Sequence, residues 1–286
     1  MANYKIITDS CCDFTSAEYE QLGLTYVPLT LLYKGQSHNN FIEPAQLKDF
    51  YDGIRAGEMP TTSAANPDNW ARAMEPVLEE GMDVLCIAFT SGLSTTYQSA
   101  VIAADEMMEK YPQRTIRVVD SLCAAMGQGM LVYHACRKRD EGWDLDAVTA
   151  WVEENKLKVR HEVTVDDLNH LKRGGRVSAT TAFVGGMLNI KPIIRVDDNG
   201  KLETVGKVRG RKTAMETLLK KFDENATDRD VVFIVHGDAP EDAATLEKTL
   251  REKYGVKEVR TNYLGGVIGS HTGPGVLAIF FMAEHR

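Results

Sequence analysis

The sequence lacks the features that place a protein in a membrane or in an oxidising compartment. Its strongest apolar run, residues 275–283, is far shorter than the roughly 20 residues that a helix needs to cross a bilayer. Asp9 interrupts the apolar residues that follow Tyr4, so we expect no signal peptide. The cysteines show no paired C-x-x-C spacing and lie mostly in apolar segments, as reduced thiols do. We therefore expect a cytoplasmic protein.

Positive charge and metal-ligand patterns are also scarce. The formal net charge is -8 at pH 7, whereas binding a nucleic-acid backbone requires a basic face, so we expect no nucleic-acid partner. No grouping of His, Cys, Asp or Glu has metal-ligand spacing, so we expect neither a metal nor a cofactor. Residues 206–213 fail as a phosphate loop because Gly210 comes one residue early and Arg211 precedes the lysine. Arg209 and Arg211 remain as a basic patch, either for a partner or nucleotide or as a solvated face.

What the chain does contain is an alternation of short apolar and longer amphipathic segments. In the first half this pattern predicts a mainly parallel sheet with crossover helices, with strands at residues 4–7, 84–89 and 116–119. In the second half Asn199-Gly200 is a hairpin signal, which adds an antiparallel piece. A polar, basic stretch near residues 155–160 separates the halves. We predict a two-domain α/β fold, with a parallel-sheet domain at 1–157 and a mixed-sheet domain at 158–286.

Hydroxyl side chains follow three of the predicted strands, at residues 8–10, 90–96 and 120–121. The carboxyl ends of parallel strands share one edge of the sheet, where ligands usually bind. A fourth polar cluster, residues 60–63, precedes a predicted helix. Serine and threonine also cap helices for local reasons. Ser94 and Thr62 stand among surplus hydroxyls, however, so we expect them to bind an anion such as a carboxylate or phosphate.

Residues 265–275 hold His271 in a segment with five glycines and a proline. This density of glycine favours a loop that approaches a ligand closely, so we predict a loop that presents His271 to a small acidic group. Arg176 directly follows a glycine pair that ends a short amphipathic helix. Its guanidinium could bind a carboxylate, or it could form a surface ion pair.

Seven short motifs occur in order between residues 4 and 281. They are Thr8-Asp9-Ser10-x-x-Asp13, Thr62-Ser63, Ser91-Gly92-Leu93-Ser94 followed by Tyr97-Gln98-Ser99-Ala100, Val119-Asp120-Ser121, Leu171-x-x-Gly174-Gly175-Arg176, Asn189-Ile190-Lys191-Pro192, and Ile268-Gly269-Ser270-His271-Thr272-Gly273-Pro274-Gly275. Together they resemble the DegV family. The resemblance implies a two-domain α/β fold that binds a long-chain fatty acid between its domains. It also implies the role of the binding subunit of bacterial fatty acid kinase, a lipid carrier without catalysis of its own. In that system the protein presents the carboxylate to a separate ATP-dependent kinase, which forms an acyl phosphate.

The resemblance assigns roles to particular residues. The implied carboxylate contacts are Thr62, Ser63, Ser94 and His271. Arg176 is implied nearby, as the charge that faces the partner's active site. We also expect Ser91 and the basic-patch residues Arg209 and Arg211 near the head group or facing the partner. The candidates for the tail pocket are Phe183, Met187, Leu188 and Ile190, although core packing is the commoner explanation of such an apolar run taken by itself. Ala64, Ala65, Asn66 and Thr95 depart from the family pattern, which leaves the head-group geometry open. The expected partners are the fatty acid, the kinase subunit and, transiently, a membrane surface.

Two other functions stay open at the level of sequence. One is a serine-type acyl hydrolase or transferase with Ser94 as nucleophile and His271 as base, which requires the two side chains within hydrogen-bond reach. The sequence has no G-x-S-x-G nucleophile elbow to support it. The other is a phosphotransfer protein in which His271 binds a carbonyl or phosphoryl group covalently.

Overall fold

The computed structural model describes residues 3–177 and 189–286, which form an α/β protein. The strands of these ranges are β1 (Tyr4–Asp9), β2 (Thr25–Val27), β3 (Thr30–Tyr33), β4 (Gln36–Asn39), β5 (Thr61–Ser63), β6 (Asp83–Ala88), β7 (Ile116–Asp120), β8 (Val159–Thr164), β9 (Ile190–Val196), β10 (Leu202–Arg209), β11 (Val231–His236), β12 (Glu258–Tyr263) and β13 (Leu277–Met282). The helices are α1 (Ser16–Gln21), α2 (Pro44–Arg55), α3 (Pro67–Glu79), α4 (Thr96–Lys110), α5 (Met126–Asp140), α6 (Leu145–Asn155), α7 (Asn169–Arg173), α8 (Arg211–Asn225), α9 (Pro240–Glu252) and α10 (Gly266–Thr272). Most of the predicted apolar segments become strands and most of the predicted amphipathic segments become helices, in keeping with their periodicity.

Two large sheets organise the molecule. The first is parallel, in the order β2-β1-β6-β7. The second is mixed, in the order β10-β9-β8-β13-β11-β12, with β11 and β12 parallel and the other neighbours antiparallel. The predicted architecture, a parallel sheet followed by a mixed sheet, is confirmed. The second sheet begins at Val159, close to the predicted domain boundary, and that boundary stays a prediction.

Helix α5 packs between the large sheets. Met126 and Met130 are fully buried, in keeping with a helix that is apolar on more than one side. The helix contacts β1 and β6 of the first sheet and β8, β11 and β13 of the second. One apolar cluster therefore extends from Ile87 in the first sheet to Phe280 in the second. The two sheets share a core, and a space between them is bounded largely by apolar side chains.

Strand β13 shows how the second sheet divides its side chains. Ala278 and Phe280 belong to the core shared with the first sheet. Ile279 and Phe281 alternate with them and belong to a separate core formed with α8 and α9. Consecutive residues of this strand therefore serve two different cores.

Several short elements differ from the sequence predictions, among them β4, which the sequence does not predict. The region 25–33, predicted as one irregular strand, is divided into β2 and β3 around Pro28, which has no N–H to donate. Residues 61–63, predicted as a loop, pair with β3 as β5. The sequence also does not predict β12. Both β5 and β12 are edge strands without an apolar run, so their pairing depends on a neighbouring strand from another part of the chain.

Candidate functional site

A cavity of about 590 Å³ is lined by loops of the first sheet, strands of the second sheet and helix α10. Its apolar wall includes Val163, Val165, Ile194, Val196, Leu202, Val235, Ala278 and Phe280. Its polar wall includes Thr62, Ser63, Ser91, Ser94, Arg176 and His271. Pockets for small ligands are typically about 300–1,000 Å³, mostly apolar, with a few convergent polar groups. The cavity has the size and the lining of such a pocket.

Thr62 and His271 are joined by a hydrogen bond of 2.8 Å between Oγ1 and Nε2. Strand β5 positions Thr62 through its pairing with Leu31 of β3. Helix α10 carries His271 in its last turn. Two residues from distant parts of the sequence, each predicted to bind an acidic group, therefore meet at the polar wall.

The prediction that His271 lies in a loop is wrong, because most of the glycine-rich segment is helix α10. Glycine here permits close packing. A Cβ at Gly269 would stand 2.5 Å from the hydroxyl oxygen of Tyr51. Left-handed backbone begins only after the helix, at Gly273 with a φ of 72°. His271 is thus held on a regular element that is packed tightly against α2.

The segment around α7 lies directly against the end of α10. A Cβ at Gly273 would stand 2.5 Å from Cδ2 of His170, and one at Gly275 would stand 2.1 Å from Oδ2 of Asp166. Past the end of α7, the Arg176 guanidinium donates a hydrogen bond to the carbonyl of Gly174. Two glycines of the His271 segment therefore allow the approach that brings Arg176 beside the imidazole.

Burial, together with the smaller effect of the positive charge of Arg176, lowers the pKa of His271 from 6.5 to about 4. The imidazole is consequently neutral at pH 7. The Thr62–His271 hydrogen bond uses one proton, so when the neutral imidazole donates it from Nε2 the Thr62 hydroxyl can donate its own proton to a carboxylate, and Arg176 supplies the positive charge. The polar wall is therefore suited to an organic acid.

Ser94 lies in the loop between β6 and α4. Its Oγ is 2.8 Å from Oγ1 of Thr96 and accepts the Thr96 backbone N–H at 3.2 Å. Ser94 therefore bonds to the first residue of α4 and also lines the cavity. Within the described ranges Ser94 bonds to Thr96 and His271 bonds to Thr62, so the geometry does not pair the serine with the histidine.

The acidic residues at the strand ends hold this edge of the sheet together. Asp120 Oδ1 accepts the backbone N–H of Ser91 at 3.1 Å. Asp9, which is fully buried, accepts the N–H of Phe89 at 2.7 Å through Oδ2. Burial raises the pKa of Asp9 to about 6, against the effect of these hydrogen bonds. The predicted edge of the parallel sheet is thus where the loop carrying Ser91 and Ser94 is anchored.

His161 lines the cavity although no motif surrounds it in the sequence. Its Nε2 accepts the N–H of Ala124 at 3.1 Å, so Nδ1 carries the proton and donates to the Val159 carbonyl at 3.1 Å. Burial lowers the pKa of this imidazole well below its usual value. The period-two alternation of β8 could have identified it, since His161 and Val163 share a face.

The other predicted residues occupy varied positions. Ser63 is exposed and lines the cavity. Arg209 is exposed at the end of β10, and Arg211 forms a 2.8 Å ion pair with Asp242. These two and Ile190 are absent from the described cavity lining. Phe183, Met187 and Leu188 lie outside the described residues.

The part of the chain that the structure describes contains neither a metal-binding cluster nor a membrane-spanning helix. In residues 3–177 and 189–286, no group of three or more His, Cys, Asp and Glu residues is arranged to hold a metal ion. Across those same ranges, no helix has the length and apolar character required to cross a membrane.

Comparison with known proteins identifies the family of this chain. Residues 3–284 match the family model described as "Uncharacterised protein, DegV family". A DegV domain-containing protein of Clostridium perfringens is 41% identical over 100% of this chain and 99% of its own length. A fatty acid-binding DegV family protein of Thermus thermophilus has a similar structure, with a TM-score of 0.88, 33% identity, and coverage of 98% of this chain and 99% of the other. A stearic acid-binding protein of Eubacterium ventriosum is also similar, with a TM-score of 0.88, 26% identity and coverage of 98% of each chain. The chain belongs to the DegV family.

Proposed function

We propose that this protein binds a long-chain fatty acid, with its hydrocarbon tail in the cavity and its carboxylate at Thr62, Ser63, Ser94 and His271. The observation that carries the proposal is the cavity itself, in which an apolar wall adjoins the hydrogen-bonded Thr62–His271 pair. The fatty acid-binding proteins of Thermus thermophilus and Eubacterium ventriosum, which share the fold, support the same ligand class.

The free energy of binding is expected to come mainly from the tail. Burial of about 14 methylenes at about 0.8 kcal/mol each contributes roughly 11 kcal/mol before the costs of binding. A hydrogen bond to a charged group contributes about 1.5 to 3 kcal/mol. The tail therefore retains the ligand, while the polar wall orients the carboxylate.

We further propose that the protein has no catalysis of its own and presents the carboxylate to an ATP-dependent kinase in the cytoplasm. The position of Arg176 beside His271 supports this step, because its positive charge can stabilise a carboxylate that is being phosphorylated. Ser91 lines the same cavity and is proposed to lie near the head group. Arg209, exposed at the end of β10, is proposed to contact the partner, and a membrane surface is proposed as a transient source of the lipid.

Lipid analysis of the purified protein tests the proposed ligand. We expect mass spectrometry of an organic extract to find fatty acid in near-stoichiometric amount. Ala278→Phe should greatly reduce this amount, because it adds a ring to the cavity wall. Ile279→Phe is the control, since it places the same ring on the opposite face of β13 and should retain the lipid. Protein that is empty and also fails to bind added oleate or palmitate would contradict the proposal.

The geometry gives less support to a hydrolase. A serine nucleophile needs a base within hydrogen-bond reach, and in the described residues both Ser94 and His271 bond to threonines instead. Release of free acid from an added acyl ester, lost in Ser94→Ala, would favour the hydrolase. An acyl or phosphoryl adduct on His271 in the intact mass would favour covalent transfer.

A further inference from the structure

We propose that Thr90 is a positioning residue for the carboxylate, because it anchors the head-group loop (residues 90–96) to the β9–β10 turn (residues 197–200). The inference rests on the proposed function, because it concerns the loop that brings Ser91 and Ser94 to the cavity. Thr90 is 0% exposed. Its Oγ1 donates to the Gly200 carbonyl at 3.0 Å and accepts the Gly92 N–H at 3.1 Å. A single hydroxyl thus joins the head-group loop to a turn more than 100 residues away.

The two segments touch through their backbones, with no space for side chains between them. A Cβ at Gly92 would stand 2.6 Å from the carbonyl oxygens of both Asn199 and Gly200. A Cβ at Gly200 would stand 1.9 Å from Thr90 Oγ1, and its φ of 71° is in the left-handed region. The Asn199-Gly200 pair therefore closes the hairpin and also provides the backbone against which the head-group loop packs.

The turn is itself held firmly. Asp197 Oδ1 accepts the backbone N–H of Asn199 at 2.9 Å and that of Lys201 at 2.8 Å. The Asp197 carbonyl accepts a hydrogen bond of 2.8 Å from the guanidinium of Arg286, which also donates to the Val159 carbonyl at 3.2 Å. The turn is thus tied to β8, a strand at the centre of the second sheet.

The same hairpin also shapes the apolar wall. Its strands contribute Ile194, Val196 and Leu202 to the cavity lining. The β9–β10 hairpin therefore forms part of the cavity proposed for the tail and also supports the head-group loop. Loosening the Thr90 contact should displace Ser91 and Ser94 while the apolar wall keeps its shape.

Oleate and oleyl alcohol distinguish positioning from general stability, since they share a tail and differ in the head group. We expect wild type to bind oleate more tightly than the alcohol. Thr90→Val should weaken the binding of oleate and leave the binding of the alcohol unchanged. The ratio of the oleate affinity to the alcohol affinity should therefore fall about fivefold to tenfold, as expected when a hydrogen bond to a charged group is weakened. Thr90→Ser keeps the hydroxyl and should restore the ratio. Thr204→Val is the matched control, because the Thr204 hydroxyl on β10 makes no hydrogen bond within the described residues.

An unchanged ratio in folded Thr90→Val, or an equal loss for both ligands, would overturn the inference. If Thr90→Val does not fold, Gly92→Ala tests the same contact from the other side while it keeps Thr90, and the ratio must again fall. Wild-type protein that binds neither ligand would overturn the proposed function and this inference with it. A wild type that prefers oleate, with a preference unaffected by these variants, would leave the proposed function intact.

Discussion

The backbone of Gly174 lies against the imidazole of His271, where a Cβ would stand 2.3 Å from Nδ1. The glycine has ordinary helical torsion angles, so its absent side chain matters for space alone. Gly174 therefore determines how closely the α7 segment approaches α10. It also provides the carbonyl to which Arg176 donates.

Replacing Gly174 by Ala should displace the imidazole and weaken fatty acid binding roughly tenfold, the equivalent of about 1.4 kcal/mol. Fluorescence competition with a labelled fatty acid would measure this change. Gly206→Ala is the control, because a Cβ there meets no atom closer than 3.9 Å. Equal affinities for the two variants would contradict the role given to Gly174.

Thr62→Val should weaken fatty acid binding about fivefold, since one hydrogen bond contributes about 1 kcal/mol net. The change removes the hydroxyl that bonds to His271 and nearly preserves the shape of the side chain. Thr61→Val alters the exposed neighbouring residue of the same strand and should leave affinity unchanged. Isothermal titration with oleate would separate these outcomes, and a loss confined to Thr61→Val would count against the model of the site.

His271 should make wild-type stability fall as the pH drops from 6.5 towards 4. The folded-state pKa is about 4 against the usual 6.5, so in this window the unfolded chain binds a proton that the folded chain does not. The cost reaches about 2 kcal/mol at pH 5, from 1.36 kcal/mol per pKa unit. His271→Gln lacks this cost, so its free energy of unfolding should decrease less than that of wild type as the pH falls. Urea denaturation at pH 7 and pH 5 measures it, and parallel pH profiles would show that His271 is not a buried neutral imidazole.

Arg176→Ala should reduce acyl phosphate formation with a cognate kinase more than it reduces lipid retention. Its positive charge lies beside His271 at the polar wall, whereas the apolar wall is expected to hold the tail. Arg173→Ala removes an exposed guanidinium from the same segment and serves as the control. A variant that loses its lipid but still supports normal turnover when lipid is added back would reverse the assigned role.

The parts of the fold that the sequence predicts are those encoded by neighbouring residues. The buried strand β6 follows from a continuous apolar run, and the β9–β10 hairpin follows from Asn199-Gly200. The predictions for β5 and α10 fail for a common reason, which is that both elements depend on contacts with residues distant in the sequence. Residues 61–63 are polar and form a strand because β3 lies beside them, while the glycines of α10 permit contact with Tyr51 rather than a loop.

The candidate site shows the same division. Thr62 and His271 can each be identified from local composition. The 2.8 Å hydrogen bond between Thr62 Oγ1 and His271 Nε2, however, depends on the packing of β5, α7 and α10. His161 stands in no motif, and it lines the cavity because β8 turns one face toward the shared core. Long-range contacts of this kind leave little trace in a local pattern.

The sequence by itself determined the class of fold, the residue types available at the strand ends and the glycines at which backbones meet, because these depend on periodicity and side-chain size. The tertiary structure alone decided that hydroxyls, an imidazole and a guanidinium line one apolar cavity. Hydrophobic burial packs α5 between the two sheets and forms their shared core, and the packing of β5, α7 and α10 brings the polar groups together at the cavity.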